Sequence, residues 1–303
     1  MNGFLNIDKP TGMTSADVVR VLKRALNVKK IGYIGTLDPI ATGVLPVGLG
    51  LATRLFPYLE RQDKTYDATM ILGAATDTQD RTGKVIAEGD PSVVTEEMVV
   101  EALRSMVGQI EQIPPMFSAK KIDGKRLYDL AREGIEVERK PVTTTIHKLD
   151  FLSKEGNTVR FTVTVSTGAY VRTLCHDVGA KLGCQAHLGD LVRLANGPFV
   201  IEHSVPLSVI EAGGAEAGEA KLISLADGPS NLAKAVVVAH AVKRLTNGQN
   251  VGVSEVVDFE DRLDTNLVRL VTREGKLLAI AEKFGVPIAG FPFSTLNPKR
   301  VLI

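Results

Sequence analysis

Tryptophan is absent from this 303-residue chain and aromatic residues make up only 5% of it, so any aromatic side chain at a candidate site is a scarce one. Cysteine is nearly absent too. Cys175 and Cys184 stand in no metal-type spacing and read as small buried hydrophobes of a reducing compartment, not as a disulfide framework. No run approaches the roughly twenty apolar residues that a membrane span needs. The start, MNGFLNIDKPTGMTS, lacks the basic opening and apolar stretch of a signal peptide, so a cytoplasmic protein is expected. Neither sign of charge dominates: Lys plus Arg is 36, Asp plus Glu is 35, and the net charge is +1. That balance says nothing about partners, and a nucleic-acid binder of this composition must concentrate its positive charge locally. There is no G-x-S-x-G elbow, P-loop, G-x-G-x-x-G or H-E-x-x-H. His147, His176, His187, His203 and His240 are scattered without metal-type spacing. Neither a metal nor a cofactor is expected.

What is present is a globular composition, with 44% hydrophobic and 23% charged residues. The length suits about two domains and a core that needs no staples. Gly3 to Asp8 reads as a strand closed by a Lys9-Pro10 turn at Gly12. Thr14 or Ser15 then caps a helix with Val18, Val19, Leu22 and Leu26 on one face. From Val18 to Lys30 its other face and the residues just beyond carry Arg20, Lys23, Arg24, Lys29 and Lys30 and no acidic residue, which fits a solvated face or a nucleic-acid footprint equally well. Gly32 to Pro46 is rich in glycine and proline and reads as turns rather than continuous helix or strand. A strand is expected over Thr65–Leu72, and a helix over Thr95–Val107 with Met98, Val99, Ala102, Leu103 and Met106 inside. Thr158 to Ser166 alternates as a half-buried, antiparallel strand does, and a helix follows from about Ala169 to Leu182. Glu211–Ala220 (EAGGAEAGEA) reads as an exposed loop. Beyond about Ala235 short strands take over, with a hairpin from Leu267–Thr272 to Leu277–Ala281.

Few residues by themselves declare chemistry. Asp38 before Pro39 reads as a turn residue, and Asp77 and Asp80 as side chains capping a turn ahead of a metal-chelating pair. The block around Asp38, Gly32-Tyr-Ile-Gly-Thr-Leu-Asp-Pro-Ile-Ala-Thr-Gly-Val-Leu-Pro46, resembles the active-site motif of the TruB family, the tRNA pseudouridine-55 synthases. Further blocks follow in the family's order. LNIDKPTG at 5–12 is similar to the opening motif, and Lys64-Thr65-Tyr66 to the segment with the active-site tyrosine. Residues 114–140 are similar to an insertion that grips the RNA arm, and Gly168-Ala-Tyr-Val-Arg-Thr-Leu174 to the motif that supplies a tyrosine and an arginine. Gly183–Leu194 matches the motif with an apolar residue against the base, here Leu191. Directly after Gly32 the family usually has histidine, and this chain has Tyr33, which keeps an aromatic face but not a group titrating near neutrality.

The resemblance implies a mixed α+β fold: a largely antiparallel sheet with flanking helices in a catalytic domain over 1–230, and a small β-rich PUA-like RNA-binding domain over 235–303. It implies Asp38 as the nucleophile, Arg172 as its partner, and Tyr66 both in the pocket and in removal of the C5 proton. Tyr33, Tyr66, Tyr170 and Leu191 become the substrate-binding set. Lys9, Arg20, Lys23, Arg24, Lys29, Lys30, Lys120, Lys121, Lys125 and Arg126 become candidate contacts to the RNA backbone. The implied partner is the T-arm of tRNA, with no membrane, metal or obligatory protein partner. The chemistry agrees: moving uracil from N1 to C5 linkage involves no redox change, and a guanidinium beside a carboxylate favours its ionised form and fixes its direction. Other classes remain open on the residues alone: an RNA-binding or chaperone protein on the same scaffold, a nuclease using Asp77 and Asp80, and a guide-RNA-dependent synthase.

Overall fold

A computed structural model describes residues 1–118, 121–122, 124–262 and 264–303, with the side chains of Lys121, Ile122, Lys125, Arg126 and Arg132 outside the description. Its centre is a ten-stranded mixed sheet. Along the main path the strands run Val205–Pro206, Gly3–Lys9, Thr42–Leu49, Ala186–Asn196, Lys64–Leu72, Thr158–Val165, Val142–Glu155 and Gly108–Gln112. Pairing is antiparallel except where Gly3–Lys9 meets Val205–Pro206 and where Ala186–Asn196 meets Thr42–Leu49. The alternation in Thr158–Val165 is realised as expected: Val159, Phe161, Val163 and Val165 are buried, and the strand lies between two antiparallel neighbours.

Successive residues of a strand point to opposite faces, and this sheet is covered on both. Leu5 and Ile7 join a core with Val18 and Leu22 of the helix Ser15–Ala25, with Leu26 at its C-terminal cap, and with Leu174, Cys175 and Val178 of the helix Val171–Lys181. Phe4 and Val44 instead join Leu55, Phe199, Leu232, Val271 and Ile280, a second cluster shared with the C-terminal part of the chain. That part is a six-stranded sheet in the order Val251–Gly252, Thr295–Val301, Leu277–Phe284, Leu267–Val271, Ala233–Val237 and Val256–Glu260, packed on the helix Ala239–Thr246. Buried Arg269 donates to the carbonyls of Ala226 (2.7 Å) and Leu232 (3.2 Å) and so ties the connecting segment to this sheet. No helix among the described residues is long and apolar enough to cross a membrane.

Three local expectations are corrected. Residues 211–220 are not a loop but most of the helix Leu207–Ala220, kinked at Gly214. Alanine and glutamate are strong helix formers, and Leu207 and Ile210 supply the buried stripe that holds it on the sheet. The segment Gly32–Pro46 is turn only in its middle, because Thr42–Leu49 is a central strand and Ile31–Tyr33 pairs beside it. In the helix Glu96–Arg104, capped by Thr95, Met98 is exposed and not on the inner side.

Candidate active site

Asp38 sits on the loop between Ile31–Tyr33 and Thr42–Leu49, and the loop is fixed from every side. Ser15 Oγ accepts from Leu37 N–H (2.9 Å) and donates to Leu37 O (3.2 Å), so the start of the first helix locks the residue before Asp38. Gly12 N donates to Pro39 O at 2.8 Å, and Asn196 Nδ2 to Ile34 O at 2.9 Å. Arg193, with no exposed surface, donates from Nε to Val44 O (2.7 Å) and from Nη2 to Gly35 O (2.9 Å). Burial lowers its pKa, against the raising effects of Tyr66 and Asp38. Gly35 has φ +72° and lies so close to Asn196, Lys64 and Arg193 that a Cβ would sit 3.0–3.3 Å from them, which only glycine accommodates.

Arg172 is the second residue of the helix Val171–Lys181, and its Nε lies 3.0 Å from Asp38 Oδ2. The guanidinium is itself held: Nη1 donates to Thr78 O (3.0 Å), Nη2 to Phe117 O (2.8 Å), and Nη1 lies 3.5 Å from Asp80 Oδ2. Asp80 in turn accepts at Oδ1 from Thr78 Oγ1 (2.8 Å), Thr82 N (2.9 Å) and Thr82 Oγ1 (2.6 Å). Asp77 Oδ1 accepts from Lys84 N at 2.8 Å. Thr78 and Asp80 of this turn therefore brace Arg172, while Asp77 closes the turn onto Lys84.

A cleft of about 550 Å³ opens over this pair, and its lining includes Tyr33, Asp38, Tyr66, Tyr170, Arg172 and Leu191. The structure thus brings every expected catalytic and substrate-binding residue to one place. Tyr66 and Leu191 are buried walls on adjacent strands, where Tyr66 pairs with Arg193 and Leu191 with Ala68. Tyr170 caps the Arg172 helix and is held by Gln112, which accepts from its N–H (3.0 Å) and donates to its carbonyl (3.1 Å). Tyr33 is half-buried against the main core as well as lining the cleft.

The basic residues divide. Arg20, Lys23, Arg24, Lys29 and Lys30 are exposed, with Arg20 paired to Asp17 at 2.8 Å. Lys9 is corrected: it has no exposed surface and cannot reach a phosphate, because Nζ donates to Met13 O (2.7 Å) and Pro10 O (2.9 Å). Burial lowers its pKa to about 8 despite the pull of Asp38. Lys120 lies outside the described residues, as do the side chains of Lys121, Lys125 and Arg126. Their segment carries a short hairpin and the helix Leu127–Arg132, with Met116, Leu127 and Leu130 as a small core.

The sequence reading missed Lys64, Ser118 and Arg193. Lys64 lines the cleft with Nζ donating to Gln62 O (2.8 Å) and Thr167 Oγ1 (3.0 Å), and burial next to Arg193 lowers its pKa to about 8. Nothing in a sequence separates a buried lysine or arginine from an exposed one. Their nearness to Tyr66 and Leu191 in the motif blocks was the available signal.

Comparison with known proteins agrees along most of the chain. Residues 23–171 match the family model described as TruB family pseudouridylate synthase (N terminal domain), and residues 172–224 match tRNA pseudouridylate synthase B C-terminal domain. The chain is 44% identical to the tRNA pseudouridine synthase B of Syntrophotalea carbinolica, over 88% of this chain and 89% of that one. It is 45% identical to the tRNA pseudouridine synthase B of Geotalea uraniireducens, over 95% and 93%. Among solved structures it is similar to a chain of an H/ACA RNP bound to a substrate RNA containing 2'-deoxyuridine, with a TM-score of 0.76, 26% identity, and coverage of 99% of this chain and 85% of that one.

Proposed function

The chain belongs to the TruB family of pseudouridylate synthases, and from that premise we propose that Asp38, held by Arg172 in the cleft, is the group that performs its reaction. The protein isomerises a uridine of tRNA to pseudouridine. The target is position 55 in the T loop, the T-arm is the part bound, and the enzyme works in the cytoplasm without an obligatory protein partner. Residues 1–230 form the catalytic domain, with 114–140 as an RNA-gripping insertion, and 235–303 form a PUA-like RNA-binding domain.

The observation that carries the reading is the Asp38–Arg172 pair at 3.0 Å beneath a base-sized cleft walled by Tyr66 and Leu191. The reaction breaks the N1–C1′ bond, turns the uracil and forms a C5–C1′ bond, with a proton leaving C5 and one gained at N1. Attack at C1′ and attack at C6 both require an ionised carboxylate. A guanidinium fixed by Thr78 O and Phe117 O supplies a charge that does not reorganise. Tyr66, which lines the cleft, takes part in removing the C5 proton.

A base within a folded loop must first leave its stack, at a cost of a few kcal/mol. Stacking on an aromatic face returns about 1–3 kcal/mol per base, and Tyr66 and Tyr170 offer such faces. Tyr33 fills the space that the base leaves. Incubation with an unmodified tRNA transcript, followed by mapping of pseudouridine, tests the reading. Asp38→Asn keeps size but removes the anion, so product should vanish while tRNA affinity stays within about tenfold, or 1.4 kcal/mol. Near wild-type turnover by that variant overturns the assignment.

A further inference from the structure

Ser118 lies where the insertion meets the cleft. It is 5% exposed and lines the same cleft as Asp38, Tyr66, Arg172 and Leu191. Its Oγ is buried and has no hydrogen-bond partner among the described residues. The neighbouring polar side chains of the cleft differ in this: Lys64 and Thr167 bond each other, and Arg172 is bonded at all its nitrogens. A buried hydroxyl without a partner is costly, and native structures keep few of them. Beside a substrate cleft, such a hydroxyl is a donor that a bound ligand can complete.

The backbone around this hydroxyl is fixed. Ser118 N donates to Met116 O at 2.9 Å, Ser118 O accepts from Tyr128 N at 3.1 Å, and the preceding carbonyl, Phe117 O, accepts from Arg172 Nη2 at 2.8 Å. Ser118 is therefore registered to the guanidinium that holds Asp38. We propose that Ser118 Oγ hydrogen-bonds a carbonyl oxygen of the flipped uracil, a substrate contact that rests on the reading of the cleft given above. Tyr66 and Leu191 can offer the base a face and an apolar wall, and Asp38 and Arg172 occupy each other, so the imide edge still needs a donor.

The chemistry of the turn favours a hydroxyl there. When the freed uracil rotates about its N3–C6 axis, N1 and C5 exchange places, and the carbonyls at C2 and C4 exchange with them. A donor beside that edge meets a carbonyl oxygen before and after the rotation. It holds the base in both states without opposing the passage between them. Ser118 gains and loses no proton, and no bond to it forms or breaks.

Ser118→Ala in the full chain tests this against unmodified tRNA, using single-turnover rate, RNA affinity and thermal unfolding. The expected result is a loss of about tenfold in rate or affinity with a melting temperature equal to or above wild type, because an unpaired buried group has been removed. Ser118→Thr, which keeps the hydroxyl, should recover part of the loss. Competition binding of RNAs carrying 2-thiouridine, 4-thiouridine or 2′-deoxyuridine at the target then locates the partner, since each thio base alters one of the two carbonyls. The thiocarbonyl penalty seen in wild type should shrink in Ser118→Ala, while the deoxy penalty should be equal in both. Activity within twofold of wild type, a loss that follows a lowered melting temperature, or a coupling that falls on the ribose instead overturns the proposal. Failure of the underlying reading looks different: wild type would then make no pseudouridine, or Asp38→Asn would still make it.

Discussion

At the residue scale Tyr33 stands where the resemblance leads one to expect histidine. The side chain is shared between the core and the cleft, so size, stacking and stability are all candidates for what it contributes. If the ring fills the space of the flipped base, Tyr33→Phe should keep most activity and Tyr33→Ala should lose about 1–3 kcal/mol of productive binding. Part of that loss should vanish on a minimal RNA whose target uridine is already unstacked, since flipping it costs less. Equal loss on both RNAs with a lowered melting temperature would leave Tyr33 a packing residue. Lys64 makes a second residue-scale case. Its amine titrates near 8 in the folded protein, against 10.5 for the ordinary value, because burial and Arg193 disfavour the charge. The unfolded chain therefore holds more protons between these values, and stability should rise with pH across the window. Below pH 8 the penalty is carried in full. Lys64→Met removes the titration, so the wild type should gain roughly 2 kcal/mol on that variant between pH 8 and pH 10. Denaturant unfolding at both pH values measures it, and parallel pH profiles would remove Lys64 as the titrating group.

At the scale of elements, legibility followed periodicity. Thr158–Val165 showed a strict alternation and the helix Val171–Lys181 an apolar stripe, and both formed where the pattern placed them. The Asp38 loop was legible only through its motif block, since a single Asp-Pro has no pattern to read. The braces of that loop, Arg193, Asn196 and Ser15, come from distant elements and could not be seen along the chain. Residues 211–220 failed for a different reason: glycine was weighed as a loop signal, whereas here it serves close packing. A Cβ on Gly218 would overlap Leu26 Cδ2 at the end of the first helix, so any larger residue must displace that buried side chain. Gly218→Val should lower stability by about 1–3 kcal/mol through overpacking, with the single-turnover rate unchanged at a temperature where the variant is folded. Unfolding in urea reads the first quantity. An undiminished midpoint would show that the Leu26 side chain yields at no cost.

At the scale of the whole molecule, the problem is how a chain of net charge +1 holds a polyanion. Arg20, Lys23, Arg24, Lys29 and Lys30 are exposed on and just beyond one helix, and Ser15 at that helix's start locks the Asp38 loop. RNA held along this face would therefore be registered to Asp38 through a single rigid element. Lys9 shows why exposure had to be known first: it stands in the motif block at 5–12, yet its ammonium is spent on the Pro10 and Met13 carbonyls. If the exposed cluster contacts phosphates, tRNA affinity should fall as salt rises, and each contact removed should flatten the slope of log affinity against log salt by a little under one. Neutralising Lys23, Arg24, Lys29 and Lys30 together should therefore reduce the slope by up to about three and a half and weaken binding most at low salt. Arg20 should matter less, because Asp17 already offsets its charge at 2.8 Å. Fluorescence titration of labelled tRNA across a salt series measures the slope for wild type and variant. An unchanged slope would make this face an ordinary solvated one and move the footprint to the insertion and the C-terminal sheet.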